Sequence, residues 1–309
     1  MTPPPRIAVL VPCRDEEAAV SGVVAGFRAA LPEATVYVYD NCSTDGTVAV
    51  AEAAGAVVRQ EPIPGKGNVV RRMFADVEAE IYVLVDGDGT YDAGAARDMV
   101  ELLRRERLDM VTAVRVDQVQ GAYRPGHRLG NLVLTGMVRW VFGNRITDML
   151  SGYRVFSRRF VKSFPALSEG FETETEFTVH ALELRLPVGE LPTPYAERPA
   201  GSASKLRTYR DGVRILRTIV ALMRREKPLP FFGALAGLLL AVATLLVLPV
   251  LSTYLATGLV PRLPTFLAAV ALVVLSFLSL ASGLILDTVT RGRREAKRMA
   301  YLALPGLPG

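Results

Sequence analysis

The chain has 309 residues, half of them hydrophobic, with a mean hydropathy of +0.28, a net charge of +5 and a pI near 9.3. Only two cysteines occur, Cys13 and Cys42, which argues against a disulfide scaffold and suits a reducing compartment. The N-terminal Met-Thr-Pro-Pro-Pro-Arg has no apolar core, so no secretory signal is expected there.

Residues 6–115 alternate strand and helix patterns. Arg6–Val11 reads as a buried strand and Asp15–Ala30 as a helix with acids in its first turn. Thr35–Tyr39 is the next strand, Asp45–Ala54 a helix, Ala56–Arg59 a short strand and Gly67–Glu78 a helix. Ile81–Val85 is a strand, Ala93–Glu106 a helix and Asp109–Val114 a strand. Continuous apolar strands alternating with helices predict an α/β fold with a mostly parallel sheet covered on both faces.

Ligands of such sheets bind beyond the carboxyl ends of the strands. The unusual polar residues fall there: Pro12-Cys-Arg-Asp-Glu16, Asp40-Asn-Cys-Ser-Thr-Asp45 and Asp86-Gly-Asp88. A single carboxylate at such an end is commonly a helix cap, but three sets converge. Asp86 and Asp88 repel each other unless a cation or a donor network lies between them. A divalent metal carrying an anionic substrate is one answer, and a tight Asx turn is the other. No G-x-x-x-x-G-K-[ST] phosphate loop occurs, and no G-x-G-x-x-G follows the first strand, so phosphate-loop and dinucleotide readings are poor. A calcium loop starting at Asp86 fails, because Tyr91 stands at its glycine position and Arg97 at its glutamate. His127 and His180 are isolated, so nothing suggests zinc.

Two charge-free apolar runs follow, Phe231–Val250 and Thr265–Leu286, of 20 and 22 residues. At 1.5 Å per residue each reaches the roughly 30 Å of a bilayer core. Basic clusters flank them at Lys205–Lys227 and Arg291–Arg298. By the positive-inside rule both flanks are cytoplasmic and the hairpin turns on the far side. The positive charge therefore speaks for a membrane and not for nucleic acid. Leu206, Tyr209, Val213, Leu216, Ile219 and Val220 share one helical face among arginines, as in a helix lying in the interface or packed on the soluble domain.

Seven blocks occur in order: VPCRDEE (11–17), VYDNCSTDGT (38–47), GKGNVVRRM (65–73), VDGDGTY (85–91), TDMLSGYRVFSRR (147–159), GFETETEF (170–177) and ERPAGSASKL (197–206). Together they resemble the family 2 glycosyltransferases with the GT-A (Rossmann-like) fold. The last three blocks and the hairpin resemble the polyprenyl-phosphate branch, which includes dolichol-phosphate mannose synthase and bactoprenol glucosyltransferases. Departures occur at Asp15, where asparagine is usual, at Asn41, where many relatives have aspartate, and at Glu174, often glutamine in the mannose synthases.

The resemblance implies a nucleotide site at Pro12, Glu16, Asp40, Lys66 and Asp86, with Asp86 and Asp88 holding Mg2+ or Mn2+ and the diphosphate. It puts Asp148 near the acceptor and Ser151-Gly152 near the sugar. Catalytic roles are expected of Asp148, Asp88 and Arg154. An anionic acceptor needs cations, for which Arg124, Arg128, Arg154, Arg198 and Lys205 are candidates. Glu176 matches the family's acid by register, and helix N-terminal acidity is the alternative.

The expected domains are a cytosolic GT-A domain at 1–204, a basic amphipathic segment at 205–228, a transmembrane hairpin at 229–288 and a cytosolic basic tail at 289–309. The expected activity is inverting transfer of one sugar, glucose or mannose type, from a UDP- or GDP-linked donor to a polyprenyl phosphate at the cytoplasmic membrane face. Self-association is a further expectation of the resemblance. The alternatives are a transferase extending a lipid-linked or polysaccharide glycan, and a non-catalytic nucleotide-binding scaffold. A processive enzyme would show Q-x-x-R-W after the acceptor aspartate, whereas Arg139-Trp140 precedes Asp148.

Overall fold

The apolar runs pair side by side into one seven-stranded sheet, seen in a computed structural model that describes residues 6–117, 136, 146–167, 173–196, 220–221 and 223–306. Its strands are β1 (Ile7–Cys13), β2 (Thr35–Asp40), β3 (Val57–Gln60), β4 (Ile81–Leu84), β5 (Met110–Asp117), β6 (Arg154–Ser157) and β7 (Val188–Tyr195). The helices between them are α1 (Glu17–Ala30), α2 (Thr47–Ala53), α3 (Lys66–Asp76), α4 (Ala95–Arg105), α5 (Arg158–Ser163) and α6 (Thr173–Glu183).

The strand order is β3-β2-β1-β4-β6-β5-β7. β1 pairs in parallel with β2 and β4, β2 with β3, and β5 with β7, as continuous apolar strands predict. The sheet is mostly parallel, as expected, and β6 is its antiparallel strand. It lies between β4 and β5, with Leu84 opposite Arg154 and Thr112 also opposite Arg154. This reversal brings the chain just before β6 to the carboxyl ends of β4 and β5.

Alternate strand residues feed two cores. Ile7, Val9, Val11 and Val83 meet Val20, Val24 and Phe27 of α1 and Met99 and Leu103 of α4. On the other face Phe74 of α3 lies 6.3 Å from Tyr82 and 6.0 Å from Phe156, and Phe160 stacks on Phe156 at 4.6 Å. Burying each such ring contributes roughly 1.5–3 kcal/mol, enough to seat α3, α5 and α6 against the sheet.

The chain divides into two compact units, Met1–Ile215 with Lys297–Gly309, and Leu216–Ala296. In the second unit, α7 (Pro228–Thr257) and α8 (Leu263–Leu302) are long and apolar enough to cross a membrane. Only 17% and 11% of their most apolar windows are buried, so they are not core helices. Their buried residues recur at sevens: Ala236, Ala243 and Val250 on α7, and Ala269, Ser276 and Gly283 on α8. Ser276 Oγ donates to Ala236 O at 2.8 Å, and Ser279 Oγ to Phe232 O at 3.0 Å. Close helix approach and such bonds are how membrane helices associate.

The expected basic tail at 289–309 is helical to Leu302 as the end of α8. From Lys297 onward it belongs to the first unit. Lys297 Nζ lies 2.7 Å from Glu183 Oε2, and Tyr301 OH donates to Asp109 Oδ2 at 2.7 Å. A charge pair and a half-buried tyrosine thus hold the end of the expected basic tail against the first unit. Of the juxtamembrane segment 205–228, residues 205–219 and 222 lie outside the described residues.

Candidate active site

Parallel register places three strand ends side by side, because β2, β1 and β4 are neighbours. Cys13 pairs with Asp40, and Gly87 lies against the Cys13 side chain and Pro12 O. Asp40 is 5% exposed; its Oδ2 accepts from Ser43 N at 3.3 Å, while its Oδ1 has no hydrogen-bond partner among the described residues. An acceptor left unpaired in a buried position costs about 1–3 kcal/mol, so it marks where a ligand donor belongs. Glu16 flanks it as the residue before α1, half-buried, its N–H donating to Thr47 Oγ1 at 2.9 Å. Pro12 is also half-buried.

Two of the three positions where the chain departs from its resemblance, Asp15 and Asn41, have local explanations. Asp15 adopts φ +51°, a region that Asn and Asp tolerate, and its Oδ1 accepts from Thr44 N at 2.8 Å. Asn41 donates from Nδ2 to Glu61 O at 2.9 Å and to Ile63 O at 2.8 Å, and accepts from Gly65 N at 2.7 Å. It ties down the 61–65 loop, which an aspartate, having no donors, could not do in this way. Gly65, at φ +131°, then turns the chain into α3, whose first residue is Lys66.

Asp86 and Asp88 follow β4 directly. Lys66 Nζ is 2.5 Å from Asp86 Oδ1 and is also paired with Glu174 Oε1 at the start of α6. Burial would lower the Lys66 pKa, but the two carboxylates outweigh it and raise it, so the ammonium stays charged. Asp88 Oδ1 accepts from Thr90 N at 3.2 Å and Thr90 Oγ1 at 2.6 Å. The antiparallel register Leu84–Arg154 runs on to set Asp86 opposite Gly152, where an added Cβ would overlap Asp86 Oδ2. Tyr91 OH accepts the Gly152 N–H at 2.8 Å and fixes that approach.

Asp148 is 5% exposed and forms a two-pronged pair with Arg115 of β5, Nε to Oδ2 at 2.7 Å and Nη2 to Oδ1 at 2.8 Å. Burial raises its pKa, but the Arg115 hydrogen bonds and charge prevail and lower it. Arg154 is fully buried: Nε donates to Ser151 O at 3.0 Å, Nη2 to Met149 O at 2.7 Å and Nη1 to Thr178 Oγ1 at 2.9 Å. Burial lowers its pKa to about 10, so it remains a cation. Arg154, expected as a candidate for an acceptor phosphate, thus points its guanidinium inward, onto the carbonyls of Met149 and Ser151 and onto Thr178 of α6. Glu176, the acid singled out by register, faces the other way from Lys66. Its Oε1 accepts from Leu167 N at 3.0 Å, and Glu174 is the acid beside Lys66.

Residues 8–164 match the sequence model of Glycosyl transferase family 2. The chain belongs to that family. Glycosyltransferase AglJ of Haloferax volcanii is 34% identical over 236 residues, 76% of this chain and 77% of that protein. Protein RfbJ of Shigella flexneri is 52% identical over 123 residues, 40% of this chain and 95% of that protein. The crystal structure of Mycobacterium tuberculosis glucosyl-3-phosphoglycerate synthase with Mn2+, UDP and phosphoglyceric acid has a TM-score of 0.57 at 22% identity, covering 71% of this chain and 78% of that chain. This likeness carries the GT-A fold.

For this family 2 glycosyltransferase the donor set fits a hard divalent cation. No group of three or more His, Cys, Asp or Glu able to hold a metal occurs among the described residues. Asp86 and Asp88 offer two carboxylates, and Mg2+ is usually held by one or two carboxylates together with substrate phosphates. Gly152 lies so close to Asp86 Oδ2 that any side chain there would displace this carboxylate. Arg124, Arg128, Arg198 and Lys205 lie outside the described residues. Sequence reasoning missed Arg115, Tyr91 and the part played by Glu174. Tyr91 lies inside the VDGDGTY block, but Arg115 carries no local signal.

Proposed function

We propose that this family 2 member is an inverting glycosyltransferase that moves one hexose from a nucleoside-diphosphate sugar to a polyprenyl phosphate at the cytoplasmic face of a membrane. One observation carries the reading: Asp86 leaves β4 flanked by Lys66 and Gly152, with the unpaired, buried Asp40 Oδ1 two strands away. A nucleotide base or ribose supplies the donor that Asp40 lacks. Pro12 and Glu16 border that pocket, and Asp86 and Asp88 would hold Mg2+ or Mn2+ with the diphosphate. When bound, the ion stabilises negative charge on the departing nucleoside diphosphate.

The two long apolar helices support a lipid acceptor, and the UDP and Mn2+ held by the glucosyl-3-phosphoglycerate synthase support a uridine donor. In the transfer, an acceptor phosphate oxygen bonds to the anomeric carbon. The bond from that carbon to the diphosphate breaks, and its electron pair leaves with the nucleotide. A phosphate monoester, with a second pKa near 6, is already anionic at neutral pH and needs no base. Asp148, with both oxygens on Arg115, acts by position, anchoring the loop that carries Ser151 and Gly152. Arg154 is a positioning residue for the same loop.

Purified full-length protein in detergent, offered radiolabelled UDP- and GDP-hexoses with Mn2+ and a short polyprenyl phosphate, tests this. Label entering a mild-acid-labile lipid is expected. Label entering only a preformed lipid-linked glycan, or no lipid with any donor, overturns it.

A further inference from the structure

Lys66 is placed where a cation is ordinarily unfavourable, at the first residue of a helix, against the positive end of its dipole. It is nonetheless nearly sealed, its side chain 12% exposed, between Asp86 of the β4 end and Glu174 of α6. The Glu174 side chain is 7% exposed and that of Asp86 29%. The more open partner is therefore the one read above as a metal ligand, and the more buried partner is not. A lysine ammonium and a divalent cation repel each other and compete for the same carboxylate oxygens.

The geometry points to Lys66 as a resident counterion of Asp86, with Glu174 as the buried anchor onto which it withdraws when a metal–diphosphate complex binds. The inference rests on the reading of Asp86 and Asp88 as the metal pair. Before donor binding, Lys66 keeps Asp86 neutralised and ordered, and bare metal binds weakly. Glu174 sets how readily Lys66 gives Asp86 up. With glutamine at 174, the ammonium has Asp86 as its one charged partner among the contacts seen and holds it harder. Glu174 is thus a positioning residue that acts on the site through Lys66.

Mn2+ binding to the full-length protein in detergent, without nucleotide, tests this by electron paramagnetic resonance of the free ion. Lys66→Met is expected to tighten Mn2+ by roughly five- to tenfold and Glu174→Gln to weaken it by a similar factor. A field effect of the lost charges alone would give the same two signs, so the deciding measurement is the double variant. Acting through Lys66, Glu174→Gln changes nothing in the Lys66→Met background. The same weakening in that background overturns the inference, as does unchanged or weaker binding in Lys66→Met alone. The double variant leaves one fewer buried unpaired carboxylate than Lys66→Met. If Lys66→Met alone does not fold, the double variant binding no tighter than wild type overturns the inference. Asp88→Asn separates the two readings: Mn2+ binding that survives it overturns the metal pair itself, whatever the Lys66 variants do.

Discussion

Arg115 and Asp148 meet edge to edge, both carboxylate oxygens engaged by one guanidinium at 2.7 and 2.8 Å. A carboxylate held this way is a poor proton acceptor, because protonation would break a charge-assisted pair. Its lowered pKa keeps the pair intact at neutral pH, and its contribution is lost only as pH falls below the ordinary 3.8. Asp148→Asn is therefore expected to cut kcat by about 100-fold with donor affinity retained, the usual scale for misplacement near a reacting centre. The loss should persist from pH 7 to 9. Recovery of turnover at alkaline pH would instead make Asp148 a base.

Gly152→Ala probes the close approach of the pre-β6 loop to Asp86. The new methyl would overlap Asp86 Oδ2, and the backbone there is pinned by Tyr91 OH at 2.8 Å. Asp86 must move, since the loop cannot. Mn2+ and UDP binding, followed by calorimetry, should weaken by more than about tenfold while the melting temperature stays within a few degrees.

Asn41→Asp removes two amide donors and leaves the carbonyls of Glu61 and Ile63 facing a carboxylate. Each lost buried bond costs about 1–3 kcal/mol. The 61–65 loop positions Lys66, so the expected outcome is a raised KM for donor together with a lower melting temperature. A variant with wild-type KM would show that the loop is held by other contacts.

His180 is 2% exposed, packed against Phe160 and Phe164, with Nε2 3.4 Å from Ser163 Oγ and Nδ1 without a partner among the described residues. Burial, then the Lys297 charge, lowers its pKa to about 3. Its folded value lies below the ordinary 6.5, so acid protonates the unfolded chain first. Stability should fall as pH drops from 6.5 toward 3, by up to about 1.4 kcal/mol per unit. Thermal melts between pH 6.5 and 5, above the range where carboxylates titrate, should show this slope in the wild type and a flatter one in His180→Phe.

The alternation of strands and helices over residues 6–115 was legible because each element writes its own period into consecutive residues. Its errors lay at the ends. The last strand was read to Val114 and runs to Asp117, because pairing with β7 continues to Tyr195. The third helix, read as Gly67–Glu78, spans Lys66–Asp76. The acids at strand ends were legible for the same reason, since each stands where an apolar run stops.

Glu174 and Glu176 show where local reading ends. Two residues apart on a helix, they point about 200° apart, and the docking of α6 decides which one meets Lys66. Arg154 reads as a phosphate-binding cation inside a motif block, yet β6 is inserted between β4 and β5 and turns its guanidinium inward onto Met149 and Ser151. Arg115 finds Asp148 across 33 residues. The order of elements over residues 6–115, the apolar helices and the strand-end carboxylates thus follow from the sequence alone, because neighbours in the chain determine them. The partners of those carboxylates were decided only in the folded chain, because an ion pair depends on distance in space and leaves no period in the sequence.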